Sequence, residues 1–529
     1  MRRRVDFFLG SDSPRSRTVS WAARWRTVSR TRAQPSIDTH APRWYSPPHP
    51  HAPLARRPQE SPPMSDTPAL VPALTPAGFR DYTPGEVAAR QGMIRTIQRA
   101  YERFGFDPLD TPAVEFMDTL LGPPSAADEE SAKMLFQARR LRGRDVAGGE
   151  ETEELGLRFD LTVPLARYVA SHSGQLPRPF KRYQVGPVWR GERPQKGRFC
   201  EFLQFDLDAV GTSDLYADAE VLWGVHDALV DLGVTRFVIR VNSRKVLNGL
   251  PAVAGFDEGK LVEVIRVLDK VDKVGVDAVL DELRRPDRGG LDLSAEACEA
   301  IRGFMAIGGD PDEALARVEA LCGGEGVMAE GARELREVAA HLRAAGVPQE
   351  RWRIDLSIAR GLGYYTGPVF ETTLLDLPQI GSVCSGGRYD GLVSRFSADP
   401  APAVGASIGV DRLFAALKEL GQLRVPPTCV QVLVTAMERD RRADYIALVA
   451  ELRAAGLNAA LYQGEDHAFR AQMAEATRRE VPVVVICGGR ELRDGVVTLK
   501  DMRARAQVTV PRAELAAAAR GLLGGAPAP

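Results

Sequence analysis

Apolar and polar positions alternate along this chain with two different periods. Within residues 84–104, Met93, Ile94, Ile97, Ala100, Tyr101 and Phe104 recur on one helical face, with Pro84 at the start and Gly105 just past the end. Residues 106–115 read as a strand punctuated by Pro108 and Pro112. Residues 157–168 read as a short strand running into a helix, with Pro164 near its first turn. Residues 180–211 alternate, break into a polar loop at 191–198, and alternate again from Phe199, which predicts a long antiparallel hairpin with a charged tip. An amphipathic helix and a strand follow within 212–242. Residues 243–349 are helical in pattern and poor in aromatics, the signature of a helical insertion. Strands return at 354–358 and 368–374, and from Val404 a strand of small residues runs into a helix at Arg412. Beyond Pro426 and Pro427, strands at 430–434, 458–462, 483–487 and 496–499 alternate with helices at 443–455 and 468–479. That order predicts a separate α/β domain with a largely parallel sheet.

Charge enters this picture in the hairpin. Arg190, Gln204, Asp206 and Asp208 are an even number of residues apart and share one face if no bulge intervenes. A guanidinium beside carboxylates and an amide suits a substrate carrying both signs of charge, such as an amino acid with a phosphate; a solvated sheet face is the other reading. Asp160 and Thr162 at a strand–helix junction fit either a helix cap or a grip on an ammonium group. The glycines of Ala359-Arg360-Gly361-Leu362-Gly363-Tyr364-Tyr365-Thr366-Gly367 let backbone approach a ligand closely, or make a tight turn over packed tyrosines. Arg412 beside unbonded N–H groups at a helix start suits a polyphosphate, or is simply solvated.

Composition narrows the class. The chain has 529 residues and a net charge of −1, with six cysteines in no C-x-x-C spacing. This argues against a cysteine zinc site or a disulfide framework and fits a reducing compartment. No apolar run approaches the ~18–20 residues of a membrane span. Residues 1–63 hold twelve Arg against four acidic residues and show no apolar period. They read as a disordered basic extension, either a start called too early, with Met64 the true one, or an organellar transit peptide; the first is the expectation.

Taken together, these stretches resemble histidyl-tRNA synthetases of the class II aminoacyl-tRNA synthetase family. Residues 84–115 resemble motif 1, VWRGERPQKGRFCEFLQFDLD motif 2 and GASIGVDRLFAAL motif 3. ARGLGYYTGPVFE and SGGRYDGL are similar to segments peculiar to the histidine enzymes. The resemblance implies an α+β chain: an antiparallel-sheet catalytic domain at 64–425 with its helical insertion at about 243–349, then an α/β anticodon-binding domain at 426–529. It implies ATP, L-histidine and tRNA(His) as substrates, Mg2+ bound with ATP or pyrophosphate rather than by protein ligands alone, a homodimer, and the cytoplasm.

It also implies roles for particular residues. Arg190, Arg360 and Arg412 would act on the phosphates, Arg190 also on the substrate carboxylate. Glu192, Arg198 and Phe199 would hold ATP. Asp160, Leu161, Thr162, Gln204, Asp208, Tyr364 and Tyr365 would bind histidine, with Arg388 and Tyr389 walling the pocket. Arg193, Gln195 and Lys196 would meet the tRNA acceptor stem, and Lys500, Arg503 and Arg505 its RNA elsewhere. Two other functions fit part of this pattern. One is a non-catalytic paralogue that binds histidine to regulate its biosynthesis; the other is a histidine or uncharged-tRNA sensor. Both fit poorly with a chain that keeps the glycine–arginine segment, a C-terminal domain and only 63 extra residues.

Overall fold

The computed structural model describes residues 72–122, 134–139, 154–192, 199–285, 290–359 and 365–524. The extension at 1–63, most of the hairpin loop, and Arg360 with Tyr364 lie outside them. The first helix spans Pro84–Arg103. Thr83 accepts from Glu86 N while the Glu86 carboxylate accepts from Thr83 N, a capping box that satisfies both groups. Its apolar face is buried at Met93, Ile94, Ile97, Ala100 and Tyr101.

The following strands are β1 (Asp107–Pro108), β2 (Val114–Phe116), β3 (Phe136–Ala138), β4 (Leu155–Leu157), β5 (Phe180–Trp189), β6 (Glu201–Val210), β7 (Phe237–Ser243), β8 (Gly308–Gly309), β9 (Trp352–Asp355), β10 (Pro368–Leu374), β11 (Cys384–Arg388) and β12 (Ala403–Gly409). Nine of them form one sheet in the order β1-β5-β6-β12-β11-β10-β7-β9-β8, antiparallel except for the β1/β5 and β7/β9 pairs. The hairpin expected at 180–211 is its β5/β6 pair, with Phe180 opposite Val210 and Trp189 opposite Glu201. The single strand expected at 106–115 is instead two. β1 joins the large sheet, while β2 pairs with β4 in a separate three-stranded sheet. Pro108 and Pro112 lack the N–H a continuous ladder needs, and the Thr111 carbonyl between them accepts from Arg158 Nη1 at 2.6 Å. β9 also starts earlier and ends sooner than the expected 354–358, because Asp355 Oδ1 accepts from Ser357 N at 3.2 Å and turns the chain.

One face of the large sheet is apolar. Phe205 and Leu207 pack with Tyr101 of the first helix and with Val221, Leu222 and Val225 of the helix Tyr216–Asp231. Tyr101 meets Phe205 edge-on at 5.3 Å. The helices of the insertion, among them Leu261–Leu268, Val276–Arg284, Ala295–Met305, Pro311–Cys322 and Gly326–Ala344, bury their apolar stripes in that same core; Val264, Leu280, Ile301 and Leu335 belong to it. Much of the insertion's positive charge is paired on the surface, Arg266 with Glu263 and Lys270 with Glu282. All six cysteines are free.

The C-terminal sheet has its own core around Val432, Tyr445, Leu448, Val483 and Leu499. Its strands are β13 (Val432–Val434), β14 (Ala459–Leu461), β15 (Val483–Ile486), β16 (Val496–Asp501) and β17 (Ala506–Pro511), in the order β14-β13-β15-β16-β17. The expected largely parallel sheet is a mixed one. β14, β13 and β15 run parallel, but β15/β16 and β16/β17 are antiparallel. The sequence hid β17 because most of its residues are exposed on both faces of an edge strand, so no alternation marks it. Among the described residues, no helix is long and apolar enough to cross a membrane.

Candidate active site

The other face of the large sheet is polar and buried. Residues directly opposite each other in neighbouring strands share a face. The register therefore lays out one row as Arg182, Asp208, Gly405 and Gly387, and the next as Gln184, Asp206, Ser407, Ser385, Glu371 and Arg240. Gln204 sits beyond them, between Gly186 and Gly409. Gln204, Asp206 and Asp208 do share a face, as their spacing predicts, and all three are buried rather than solvated.

The charge on this face is organised by a residue that sequence reasoning passed over. Among the described residues, Arg182 is the largest fully buried side chain. Its Nη2 lies 2.9 Å from Asp208 Oδ2 and 4.0 Å from Asp206 Oδ2, and donates to the Leu161 carbonyl at 3.1 Å. Tyr389 donates its hydroxyl to Asp208 Oδ1. Burial pushes the carboxyls of Asp206 and Asp208 up, against the opposing pull of Arg182, and burial with the Asp208 charge holds the Tyr389 phenol protonated. Arg182 is an even number of residues from Arg190, which directly follows the same strand, and that spacing was the available signal.

Glycines make the room. A Cβ at Gly405 would overlap Asp208 Oδ1, and one at Gly186 would overlap the Arg158 guanidinium. A Cβ at Gly387 would come within 3.1 Å of the Tyr365 ring, so that ring lies over the glycine. The small residues of β12 thus leave space for the carboxylate of Asp208. A Gly405→Ala variant should lose about 1–3 kcal/mol of stability, because Asp208 is held by two partners and cannot yield. Unchanged urea unfolding would contradict this placement.

Around this floor stand the remaining sequence candidates. Asp160 Oδ1 accepts from Val163 N at 3.0 Å and so caps the helix Thr162–Ser171. Burial raises its carboxyl, while Arg190 and Arg182 pull the other way, which puts Asp160 in the same electrostatic cluster. Thr162 opens that helix. Arg190 follows β5; its Nε donates to the Phe159 carbonyl at 3.0 Å and its guanidinium lies 5.1 Å from the Phe202 ring. Phe199 carries the Arg80 guanidinium on its ring at 4.4 Å. Cys200 Sγ reaches the Glu192 carbonyl at 3.6 Å, closing the base of the hairpin loop. Arg412, in the first turn of the helix Val410–Glu419, donates Nη1 to the Ser382 carbonyl at 2.6 Å. Its neighbour Asp411 accepts from Leu203 N at 2.7 Å and pairs with Arg90 at 2.8 Å, fastening this helix to β6 and to the first helix. Arg388 binds Asp218 and donates to the carbonyls of Thr212 and Asp214 at 3.0 and 3.2 Å.

Arg193, Gln195, Lys196, Arg198, Arg360 and Tyr364 lie outside the described residues. Lys500, Arg503 and Arg505 are on the second sheet, Lys500 in β16 and the two arginines exposed in the β16–β17 turn. Gln204 Oε1 is a buried acceptor on the polar face with no hydrogen-bond partner among the described residues. An unmet acceptor of this kind is costly, and a site that binds a donor-bearing ligand accounts for it.

Comparison with known proteins places this architecture. The family model described as Histidyl-tRNA synthetase matches residues 78–413, and the Anticodon binding domain model matches 431–522. The chain is 43% identical over 487 residues to a histidine–tRNA ligase of Paracoccus denitrificans, covering 85% of this chain and 98% of that one. It is 42% identical over 458 residues to that of Wolinella succinogenes, covering 86% and 99%. The crystal structure of histidyl-tRNA synthetase from Nostoc sp. PCC 7120 superimposes with a TM-score of 0.74 at 34% identity, covering 85% of this chain and all of that one. The chain therefore belongs to the histidyl-tRNA synthetase family, class II ligases that use ATP to charge tRNA with histidine, and it carries both the catalytic and the anticodon-binding domain.

Proposed function

We propose that the polar face of the large sheet is where the chain joins L-histidine to ATP and then passes it to tRNA(His). The observation that carries this reading is the buried, unmet carbonyl of Gln204 beside the Arg182–Asp208–Tyr389 cluster. In the first step the histidine carboxylate attacks the α-phosphorus and the bond to the β-phosphate breaks, giving histidyl-adenylate and pyrophosphate. In the second, the terminal ribose hydroxyl of tRNA attacks the carbonyl carbon and AMP leaves.

The first step brings two anions together, so the protein's task is positioning and charge neutralisation. Arg190 serves the α-phosphate and the carboxylate, Arg360 the α-phosphate from the opposite side, and Arg412 the γ-phosphate. Glu192, Arg198 and Phe199 hold the nucleotide. Asp160, Thr162 and Gln204 hold the amino acid's polar groups, Asp208 and Tyr365 read the imidazole, and Tyr364 with Arg388 and Tyr389 forms the pocket. Mg2+ bound with ATP would supply neutralisation of the charge on the phosphates that leave as pyrophosphate. A residue without ring nitrogens could not make the hydrogen bonds by which the pocket reads the imidazole, which gives strong rejection. Arg193, Gln195 and Lys196 face the acceptor stem, and Lys500, Arg503 and Arg505 the RNA bound by the C-terminal domain. The chain works as a cytoplasmic homodimer. The exposed apolar Val114 and Phe116 of β2, in the segment that resembles motif 1, support that assembly. A monomeric mass in sedimentation would overturn it.

The test is histidine-dependent exchange of labelled pyrophosphate into ATP by residues 64–529. Exchange with histidine alone among the amino acids is expected, and Arg360→Ala should abolish it while leaving the circular-dichroism melt unchanged. Histidine binding without exchange would move the regulatory-paralogue reading to the front.

A further inference from the structure

We infer that the chain has a divalent transition-metal site outside the active site, formed by Asp214, Glu337 and His341. The three come from two elements far apart in sequence. Asp214 lies in the turn between β6 and the helix Tyr216–Asp231. Glu337 and His341 are four residues apart on the helix Gly326–Ala344 of the insertion, and so project from one face of it. Each offers one ligand atom, and these atoms all lie within 4.8 Å of one another.

The surroundings favour a cation. His341 Nε2 is buried and has no hydrogen-bond partner among the described residues; the nearer Glu337 oxygen is 3.7 Å away, beyond hydrogen-bond reach. The Tyr216 ring meets the imidazole edge-on at 5.9 Å and backs it. One oxygen of Asp214 accepts from Tyr216 N at 2.9 Å, which fixes the carboxylate. Among the described residues, no Lys or Arg lies within ion-pair distance of Asp214 or Glu337. Two carboxylates and an unmet imidazole nitrogen are thus gathered at one point.

The donor set selects the ion. One imidazole and two carboxylates suit Zn2+ and its neighbours, whereas Mg2+ and Ca2+ prefer all-oxygen shells. Three protein ligands leave a fourth position for water. The site is built for fastening: it ties the insertion helix to the turn whose Thr212 and Asp214 carbonyls accept from Arg388. The next residue, Tyr389, donates to Asp208. Metal binding there would stiffen the wall of the histidine pocket from outside. Cysteine spacing could not reveal such a site, because it uses no cysteine and its ligands meet only in the folded chain.

The experiment is calorimetric titration of the chelator-treated full chain with Zn2+ alone, with Mg2+ as the comparison, and with His341→Ala and Glu337→Gln variants alongside. Expected are one saturable Zn2+ site per chain in the wild type, binding at least tenfold weaker in both variants, and a Zn2+-dependent rise in Tm that both variants lose. Mg2+ should produce neither signal. Both variants change partly exposed side chains, and a wild-type melt without metal establishes that they fold. Equal Zn2+ binding by wild type and variants, or no saturable binding by the wild type, would overturn the site.

Discussion

Replacing Arg190 by alanine is expected to lower histidine-dependent pyrophosphate exchange by about two to three orders of magnitude, the usual cost of removing one preorganised donor at a centre of developing negative charge. Among the described residues, its guanidinium spends only Nε on the protein, on the Phe159 carbonyl, while Phe202 supports its plane. The remaining N–H groups stay available in a fixed direction, which is what a donor serving both carboxylate and α-phosphate requires. Arg190→Lys should recover little, since a single ammonium cannot reproduce the fork. The melt should move less than for Arg182, because the residue is only half-buried and shares with Arg182 and the helix N–H groups the task of offsetting the burial of Asp160. Exchange within about fivefold of wild type would remove Arg190 from the reaction.

Arg182→Met should behave in the opposite way, with its first effect on stability. Arg182 lies between two buried carboxylates, and removing one member of a buried charge cluster costs about 3–5 kcal/mol. The pH dependence carries its own sign. Burial already lifts the Asp206 carboxyl to about 7, above its unfolded value near 4, although Arg182 opposes the rise. Asp208 is shifted in the same direction. A carboxyl raised on folding makes the native state take up a proton as pH falls. Its destabilisation is complete above the folded value and is relieved as pH drops toward the unfolded one. Without Arg182 both carboxyls move higher still, so the Asp206 part of the deficit in urea unfolding relative to wild type should be largest above pH 8 and should shrink as pH falls toward about 7, below which that carboxyl is protonated in both native states. A deficit independent of pH would mean that Arg182 acts through volume and not through charge.

These two arginines, eight residues apart on one strand line, also mark the boundary between sequence and tertiary structure. The periodicity of 180–211 was enough for the hairpin, because a period of two admits only one pair of faces, and it placed Gln204, Asp206 and Asp208 together correctly. The helix at Pro84–Arg103, with its capping box, and the helical run of the insertion were legible for the same local reason. Arg190 and Arg412 stood out because an arginine beside a loop or a helix start has few structural uses.

Whether the polar face meets water was not a local property. Alternation shows that a face exists, and only the covering elements decide that it is buried; that burial turns Arg182 from a surface charge into the centre of the site. The split of 106–115 between two sheets, the antiparallel half of the C-terminal sheet and the strand β17 depended likewise on partners distant in sequence. The same holds for Asp214, Glu337 and His341. By itself the sequence determined the periodic elements and the order of the motifs, because those follow from backbone geometry within a few residues. The tertiary structure decided which charges face one another and how far from water, because pairing and desolvation depend on neighbours that the chain brings together only by folding.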